Sequence, residues 1–405
     1  MTDLRNYALV TGAYWGFTLT DGALRMLVLL HFHQQGYTPI QIALLFLLYE
    51  FFGVITNLVG GWLGAHTGLR TTLFAGLALQ VLALIMLAML SPAWTANLSV
   101  AYVMAAQALS GIAKDLTKMS AKSAIKQLVP AGAESALFKW VAILTGSKNA
   151  LKGVGFFLGG VLLTWLGFRG ALLLMAGGLA VTLISAVVNL PGGMGRSRQN
   201  VKFTRILAKE RRINLLSAAR LFLFGSRDVW FVVGLPIFLA SALHWSHPEI
   251  GGFLALWVIG YGAVQAMAPK LLQRFLAAGT PSGNTATSAA VVLAGLTALI
   301  AIGVHLELSP WLVVVGGLSL FGLIFAINSA VHSYLILAYS SDDQVAMDVG
   351  FYYMANAAGR LVGTLLSGLI FQLAGLAGCL WMSVAFVLIA AYFTRQLQNS
   401  RPSSA

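Results

Sequence analysis

Acidic residues are scarce in this chain: 405 residues carry 12 Asp and Glu against 25 Lys and Arg, and charged residues make up only 9% of the total. A soluble domain of this size needs a wetter surface. With 59% of its residues hydrophobic and a mean hydropathy of +0.84, the sequence reads instead as a polytopic membrane protein. The alternating ten-residue segments of a transmembrane barrel are missing, whereas apolar runs of helical crossing length recur, so the fold class is all-α. The single cysteine, Cys379, excludes an internal disulfide. No nucleophile paired with a base and no cluster of metal-ligating side chains is evident. The chain is therefore read as a non-enzyme without cofactor or metal. The first apolar run, from Tyr7 to about Phe32, is too long for a signal-peptide core and lacks a cleavage site.

The formal charge of +13 could suggest nucleic acid, but the distribution of the cations speaks against it. Arg5, Arg70, Lys122, Lys126, the cluster Arg196 to Arg212, Lys270, Arg274, Arg395 and Arg401 fall in alternate loops. The opposite loops, near Gln35, Pro92, His247, Leu306 and Ala377, are almost without cations, Arg169 excepted. This is the positive-inside pattern, and it places both termini in the cytoplasm.

Twelve spans are expected, near 7–32, 40–62, 71–90, 98–117, 136–163, 170–190, 213–240, 250–268, 285–304, 311–333, 349–373 and 376–394. A basic linker, 191–212, divides an N-terminal half, 1–190, from a C-terminal half, 213–395, and 396–405 form a cytoplasmic tail. The first and seventh spans echo one another faintly: each has an acid and a base near mid-membrane, Asp21 with Arg25 and Asp228 with Arg227, followed by Pro39 or Pro248. Two six-helix halves resemble the architecture of major facilitator transporters. The run Gly60-Gly61-Trp62-Leu63-Gly64-Ala65-His66-Thr67-Gly68-Leu69-Arg70 resembles that superfamily's loop after the second span, with Ala65 in place of the usual Asp and His66 in place of the usual base.

A charge at bilayer depth costs at least ~2.5–3.5 kcal/mol on insertion scales, so deep charges mark function. In that architecture the third, sixth, ninth and twelfth spans face lipid, and here those four carry no deep charge. The deep charges all fall on spans expected to line a cavity. Asp21 and Arg25 are spaced i, i+4 and can pair as a packing lock, or Arg25 can meet substrate. Lys148 and Lys152 share a face with Asn149 adjacent. As like charges they need an anion, either a substrate or Asp21, Glu50 or Asp115 across the bundle. Arg227, beside Asp228, and Arg360, with Asn356 and Tyr352 one and two turns earlier, are expected to contact substrate through the guanidinium fork. Lys114 and Lys118, beside Asp115, are candidates for an entry funnel, and Arg220, nearer the cytoplasm, for a gate. Glu50 reads either as a proton carrier or as a counter-ion. His332 reads as a packed polar residue, with proton carriage the second reading. Gly155 and Gly159, four apart, predict close helix packing. Arg25, Lys148, Lys152, Arg220, Arg227 and Arg360 outnumber Asp21, Glu50 and Asp228 by about three charges, which suits a polyanion.

Several blocks around these charges resemble the ArsJ organoarsenical efflux permeases: Asn6-Tyr7, Thr11 to Arg25, Tyr49-Glu50-Phe51-Phe52-Gly53, Ala113 to Lys118, Gly146 to Gly153, and Phe224-Gly225-Ser226-Arg227-Asp228-Val229-Trp230. The resemblance implies a facilitator of the bacterial inner membrane that exports 1-arseno-3-phosphoglycerate and so confers arsenate resistance. Its functional partner would be the glyceraldehyde-3-phosphate dehydrogenase that makes this compound, and the permease itself would act as a monomer in the lipid bilayer. The other reading is an organophosphate/phosphate exchanger of the same fold. A multidrug exporter for cations would carry deep acids in excess, the reverse of this sequence.

Overall fold

The computed structural model describes residues 2–67, 69–128, 134–191, 210–275, 281–339 and 345–397, and every regular element among them is helical. In chain order these are α1 (Thr2–Gln34), α2 (Pro39–Leu45), α3 (Leu47–Thr67), α4 (Leu69–Ala88), α5 (Ala96–Leu128), α6 (Glu134–Asn189), α7 (Arg211–Phe231), α8 (Gly234–Ser241), α9 (His247–Phe275), α10 (Gly283–His305), a π-helical turn (Trp311–Gly316), α11 (Gly317–Tyr339) and α12 (Val345–Gln396). Nine helical segments among the described residues are long and apolar enough to cross a membrane; two of them, Ser147–Asn189 and Asp348–Gln396, run to 43 and 49 residues. A crossing takes about 20 residues, so each of these two holds a pair. Trp165, Val188, Leu312 and Leu373 stand 75–78% exposed, as side chains facing lipid do. The chain is an all-α polytopic membrane protein. Most of the basic linker and of the C-terminal tail lies outside the described residues, as do the side chains of Gly60 to Leu69 in the loop motif.

The predicted fifth and sixth spans are the two arms of α6, joined at Gly167 (φ +65°), and the eleventh and twelfth are the arms of α12, joined at Gly375 (φ +61°). Only glycine takes such a backbone without strain, so both junctions are written in the sequence. The seventh span is also interrupted. Pro236 has no N–H, and its ring would strike the carbonyl four residues back, that of Val232. The helix stops at Phe231 and resumes at Gly234. The freed N–H groups of Val233 and Gly234 both donate to Ser367 Oγ, at 3.2 and 3.1 Å.

The chain divides into two compact units. Unit 1 comprises 1–36, 44–203 and 245–259; unit 2 comprises 37–43, 204–244 and 260–405. The first turn of α2 thus belongs to unit 2, and the first half of α9 to unit 1.

Glycine sets the interhelical distances within each unit. In unit 1, a Cβ on Gly155 would meet Leu19 O at 2.6 Å, and one on Gly159 would meet Ala23 O at 2.5 Å, so α6 lies backbone to backbone on α1. The predicted Gly155 and Gly159 contact is realised. In unit 2, Gly359 packs on Leu221 O, and a Cβ on Gly363 would meet Gly225 O at 2.8 Å, placing α12 on α7 in the same manner. Leu221 and Gly225 lie 202 residues beyond Leu19 and Ala23; Gly359 and Gly363 lie 204 beyond Gly155 and Gly159. This spacing is an internal repeat, and it brings Arg227 into correspondence with Arg25.

Gly159→Ala is expected to lower the melting temperature of the detergent-purified protein, because its methyl group would meet a backbone oxygen that cannot step aside; overpacking of this kind costs about 1–3 kcal/mol. Gly177→Ala, on the other arm of α6 with nothing within 4 Å of its Cβ, should be neutral or raise it. Equal melting temperatures for the two variants would contradict the close-packing account.

Candidate functional site

The site in unit 1 begins where α1 meets α3. Tyr49 OH donates to Asp21 Oδ1 at 2.6 Å, and Arg25 Nη2 forms an ion pair with Glu50 Oε1. One helical turn on α1 is thus tied to two consecutive residues of α3. The i, i+4 spacing predicted a shared face for Asp21 and Arg25, and both do bond to α3. The partners they meet on α3 are Tyr49 for Asp21 and Glu50 for Arg25. Arg25 also lies 5.2 Å from the centroids of the Phe46 and Tyr49 rings. Asp21 and Arg25 are each 8% exposed and Glu50 is fully enclosed. Glu50 stands against Arg25 as a counter-ion.

On α5, Lys118 Nζ donates to Asn57 Oδ1 at 2.7 Å and pairs with Asp115 Oδ1, while Thr56 Oγ1 donates to Asp115 Oδ2 at 2.5 Å. Lys114 Nζ sits 4.1 Å from the centroid of the Tyr49 ring. The inner two lysines of the basic stripe are therefore woven into α3; the side chains of Lys122 and Lys126 lie outside the described residues. Lys148, Asn149 and Lys152 are half-buried on α6. Lys152 Nζ stands 5.7 Å from the Phe156 ring, and Trp15 Nε1 donates to Ser147 Oγ at 3.0 Å, which fixes this stretch of α6 against α1.

In unit 2 a single enclosed carboxylate serves two arginines. Asp228 Oδ1 accepts from Arg227 Nε at 2.6 Å and pairs with Arg227 Nη2 at 2.5 Å; Asp228 Oδ2 accepts from Arg360 Nε at 3.3 Å. The Asp228 side chain is 1% exposed, those of Arg227 and Arg360 16% and 17%. A floor of aromatic rings carries the group: Arg227 lies 5.0 Å from Phe224 and 5.6 Å from Phe325, which stacks on Phe321. Arg220 Nε donates to Asn356 Oδ1 at 3.1 Å, and Nη1 to Ser329 O and Oγ at 3.2 and 3.0 Å. Its guanidinium also lies 5.0 Å from the ring of Tyr352. Asn356 and Tyr352, expected beside Arg360, are thus joined to Arg220, and Tyr352 is fully buried.

The sequence reading missed the neutral partners: Tyr49, Thr56 and Asn57 in unit 1, and Ser329, Tyr261 and Gln265 in unit 2. Tyr49 carried a signal, being next to the deep acid Glu50 on a predicted cavity helix. A serine or threonine within an apolar helix carries none, because such residues commonly return their hydroxyl to the preceding turn.

Asp228→Asn leaves two guanidinium groups without their shared carboxylate, whereas Arg227→Gln leaves Asp228 with Arg360. Breaking a buried pair in this way costs about 3–5 kcal/mol. Asp228→Asn should accordingly lower the melting temperature more than Arg227→Gln does. The reverse order would show that Asp228 is not the keystone of the group.

Residues 9–275, more than half of the chain, match the family model described as the Major Facilitator Superfamily. A search of curated proteins by sequence finds no match. Among solved structures, the chain is similar to one described as "Crystal structure of a POT family transporter in complex with thioalcohol conjugated peptide", with a TM-score of 0.74 at 15% identity, covering 97% of this chain and 96% of that one. At that identity the similarity speaks for the fold alone. With its helical architecture and the match over residues 9–275, the chain belongs to the major facilitator superfamily and is a multi-pass membrane transporter.

Proposed function

We propose that this transporter exports an organic polyanion, and that the cargo is 1-arseno-3-phosphoglycerate. The observation that carries the reading is the set of buried and half-buried cations on the spans expected to line a cavity, which outnumber the acids on those spans at the same depth. Unit 2 sets Arg220, Arg227 and Arg360 against Asp228; unit 1 sets Arg25, Lys148 and Lys152 against Asp21 and Glu50. Such an excess in a low-dielectric slab is stabilised when an anion arrives. A cargo with two oxyanion groups supplies more than one negative charge. The resemblance of the charged blocks to the organoarsenical permeases supplies the narrower identity. The residues proposed to meet cargo are Arg25, Lys148, Lys152 and Asn149 in unit 1, and Arg227, Arg360, Asn356 and Tyr352 in unit 2. Lys114, Lys118 and Arg220 would govern entry, and Asp21, Glu50, Asp115 and Asp228 would hold the cations in place.

In this reading the protein is a monomer of the bacterial inner membrane with both termini in the cytoplasm. A glyceraldehyde-3-phosphate dehydrogenase supplies the cargo, and export confers arsenate resistance. Efflux of an anion from a negative-inside cell gains ~2.3 kcal/mol per charge per 100 mV, so the membrane potential alone can drive it. The second reading, exchange of an organophosphate for phosphate, uses the same cation excess.

Everted vesicles separate the two. With dehydrogenase, NAD, glyceraldehyde 3-phosphate and arsenate outside, vesicles bearing the protein should accumulate arsenic, and Lys148→Gln and Arg227→Gln should abolish accumulation at unchanged expression. Exchange of glycerol phosphate without arsenic uptake would establish the second reading instead. Undiminished uptake by both variants would remove these two residues from the cargo site.

A further inference from the structure

Arg220 differs from the other enclosed arginines in its partners. Arg25 has Glu50, and Arg227 and Arg360 share Asp228. Arg220 is 4% exposed and bonds only to neutral oxygens, those of Asn356 and Ser329; among the described residues no carboxylate reaches it, and its Nη2 makes no hydrogen bond. Its guanidinium lies 3.9 Å from the centroid of the Phe224 ring. A full charge held this way is poorly compensated, because an uncompensated charge in such surroundings costs several kcal/mol.

The neighbourhood of Arg220 is rich in donors. Ser329 Oγ receives Arg220 Nη1 at 3.0 Å, Tyr261 OH at 3.2 Å and Gln265 Nε2 at 3.4 Å. The guanidinium and the amide N–H groups can only donate, so both lone pairs of this hydroxyl are engaged, while the Tyr261 hydroxyl can donate or accept. Next to Ser329 on α11, Asn328 is fully buried with neither its amide nitrogen nor its amide oxygen bonded; one turn further, both ring nitrogens of the buried His332 are unbonded. His332 lies within electrostatic range of Arg220. Native interiors rarely leave so many polar atoms without partners in one place, and such a cluster needs an explanation.

We propose that Arg220, Ser329, Gln265 and His332 form a subsite of unit 2 for a tetrahedral oxyanion, phosphate or arsenate in character, so that Arg220 holds cargo rather than acting as a gate. An oxyanion entering here would accept from Arg220 Nη2 and from the neighbouring Gln265 and Ser329 donors, and give the guanidinium its missing negative partner. The planar fork suits such an ion better than an ammonium group does. Arg227, in this arrangement, belongs to a group already neutralised in part by Asp228. The proposal rests on the reading of the cargo as a polyanion.

Titration of the detergent-purified full chain with glycerol 3-phosphate, and separately with inorganic phosphate, tests both and tells them apart. The wild type should bind. Arg220→Lys, which keeps the charge and removes the fork, should weaken binding at least ~tenfold, the loss of one or two charge-assisted hydrogen bonds. Gln265→Leu, on a different helix, should weaken it about threefold, and it decides the matter should Arg220→Lys not survive purification. Wild-type affinity in both variants overturns the subsite while leaving the polyanion reading in place. A wild type that binds neither probe overturns the polyanion reading itself, and the subsite with it.

Discussion

A guanidinium or ammonium group cannot stay in hydrocarbon without an acceptor, and that constraint organises both units of this transporter. Each described arginine at depth is met by a carboxylate or by a set of neutral oxygens, and aromatic faces cover what remains of the charge of Arg25, Arg220 and Arg227. Arg25 joins Glu50 and two rings; Arg227 joins Asp228 above Phe224 and Phe325. These links do more than neutralise. They fasten α1 to α3 and α7 to α12, so the charges that would mark a cargo site also fix the distances between the helices that carry it. A buried ion pair is weak evidence for stability when compared with an apolar pair, yet losing one partner is severe. Charged positions of this kind tolerate little change.

Glycine makes this economy of partners geometrically possible. Where α6 rides on α1 and α12 on α7, no side chain separates the backbones at Gly155, Gly159, Gly359 and Gly363. Polar side chains from adjacent helices then come within a hydrogen bond of each other without long reaches. The hydroxyl of Ser367 shows the same closeness: it mends the two backbone N–H groups released by Pro236, which requires α12 to touch the broken seventh span directly.

The helical class, most of the spans and most of the buried charges were legible in the sequence, since hydropathy over 20 residues and isolated charges are strong signals; the buried Asp348, at the first turn of α12, was not singled out. The glycine junctions at Gly167 and Gly375 lay where loops were expected. What the sequence could not show was pairing. Asp21 and Arg25 satisfy the rule for an ion pair along one helix, yet each bonds to α3, because a neighbouring helix offers a second layer of partners that periodicity does not encode. Asn356 and Tyr352 were placed with Arg360 by their spacing along α12, but the turn of the helix presents them to Arg220. The interruption after Phe231 is a third case: Pro236 announces it, but only the packing of α12 shows how it is repaired.

The internal repeat shows what has diverged between the units. By the glycine contacts, Arg227 corresponds to Arg25, and each has an acid partner, though on different helices: Glu50 on α3 for one, the adjacent Asp228 for the other. The other cations do not repeat. Lys148 and Lys152 on α6 correspond to Tyr352 and Asn356 on α12, and Arg220 on α7 corresponds to Thr18 on α1. The faint sequence echo between the first and seventh spans therefore has a physical cause. The backbone contacts and one arginine are common to both units, whereas the remaining cations sit on α5 and α6 in unit 1 and on α7 and α12 in unit 2.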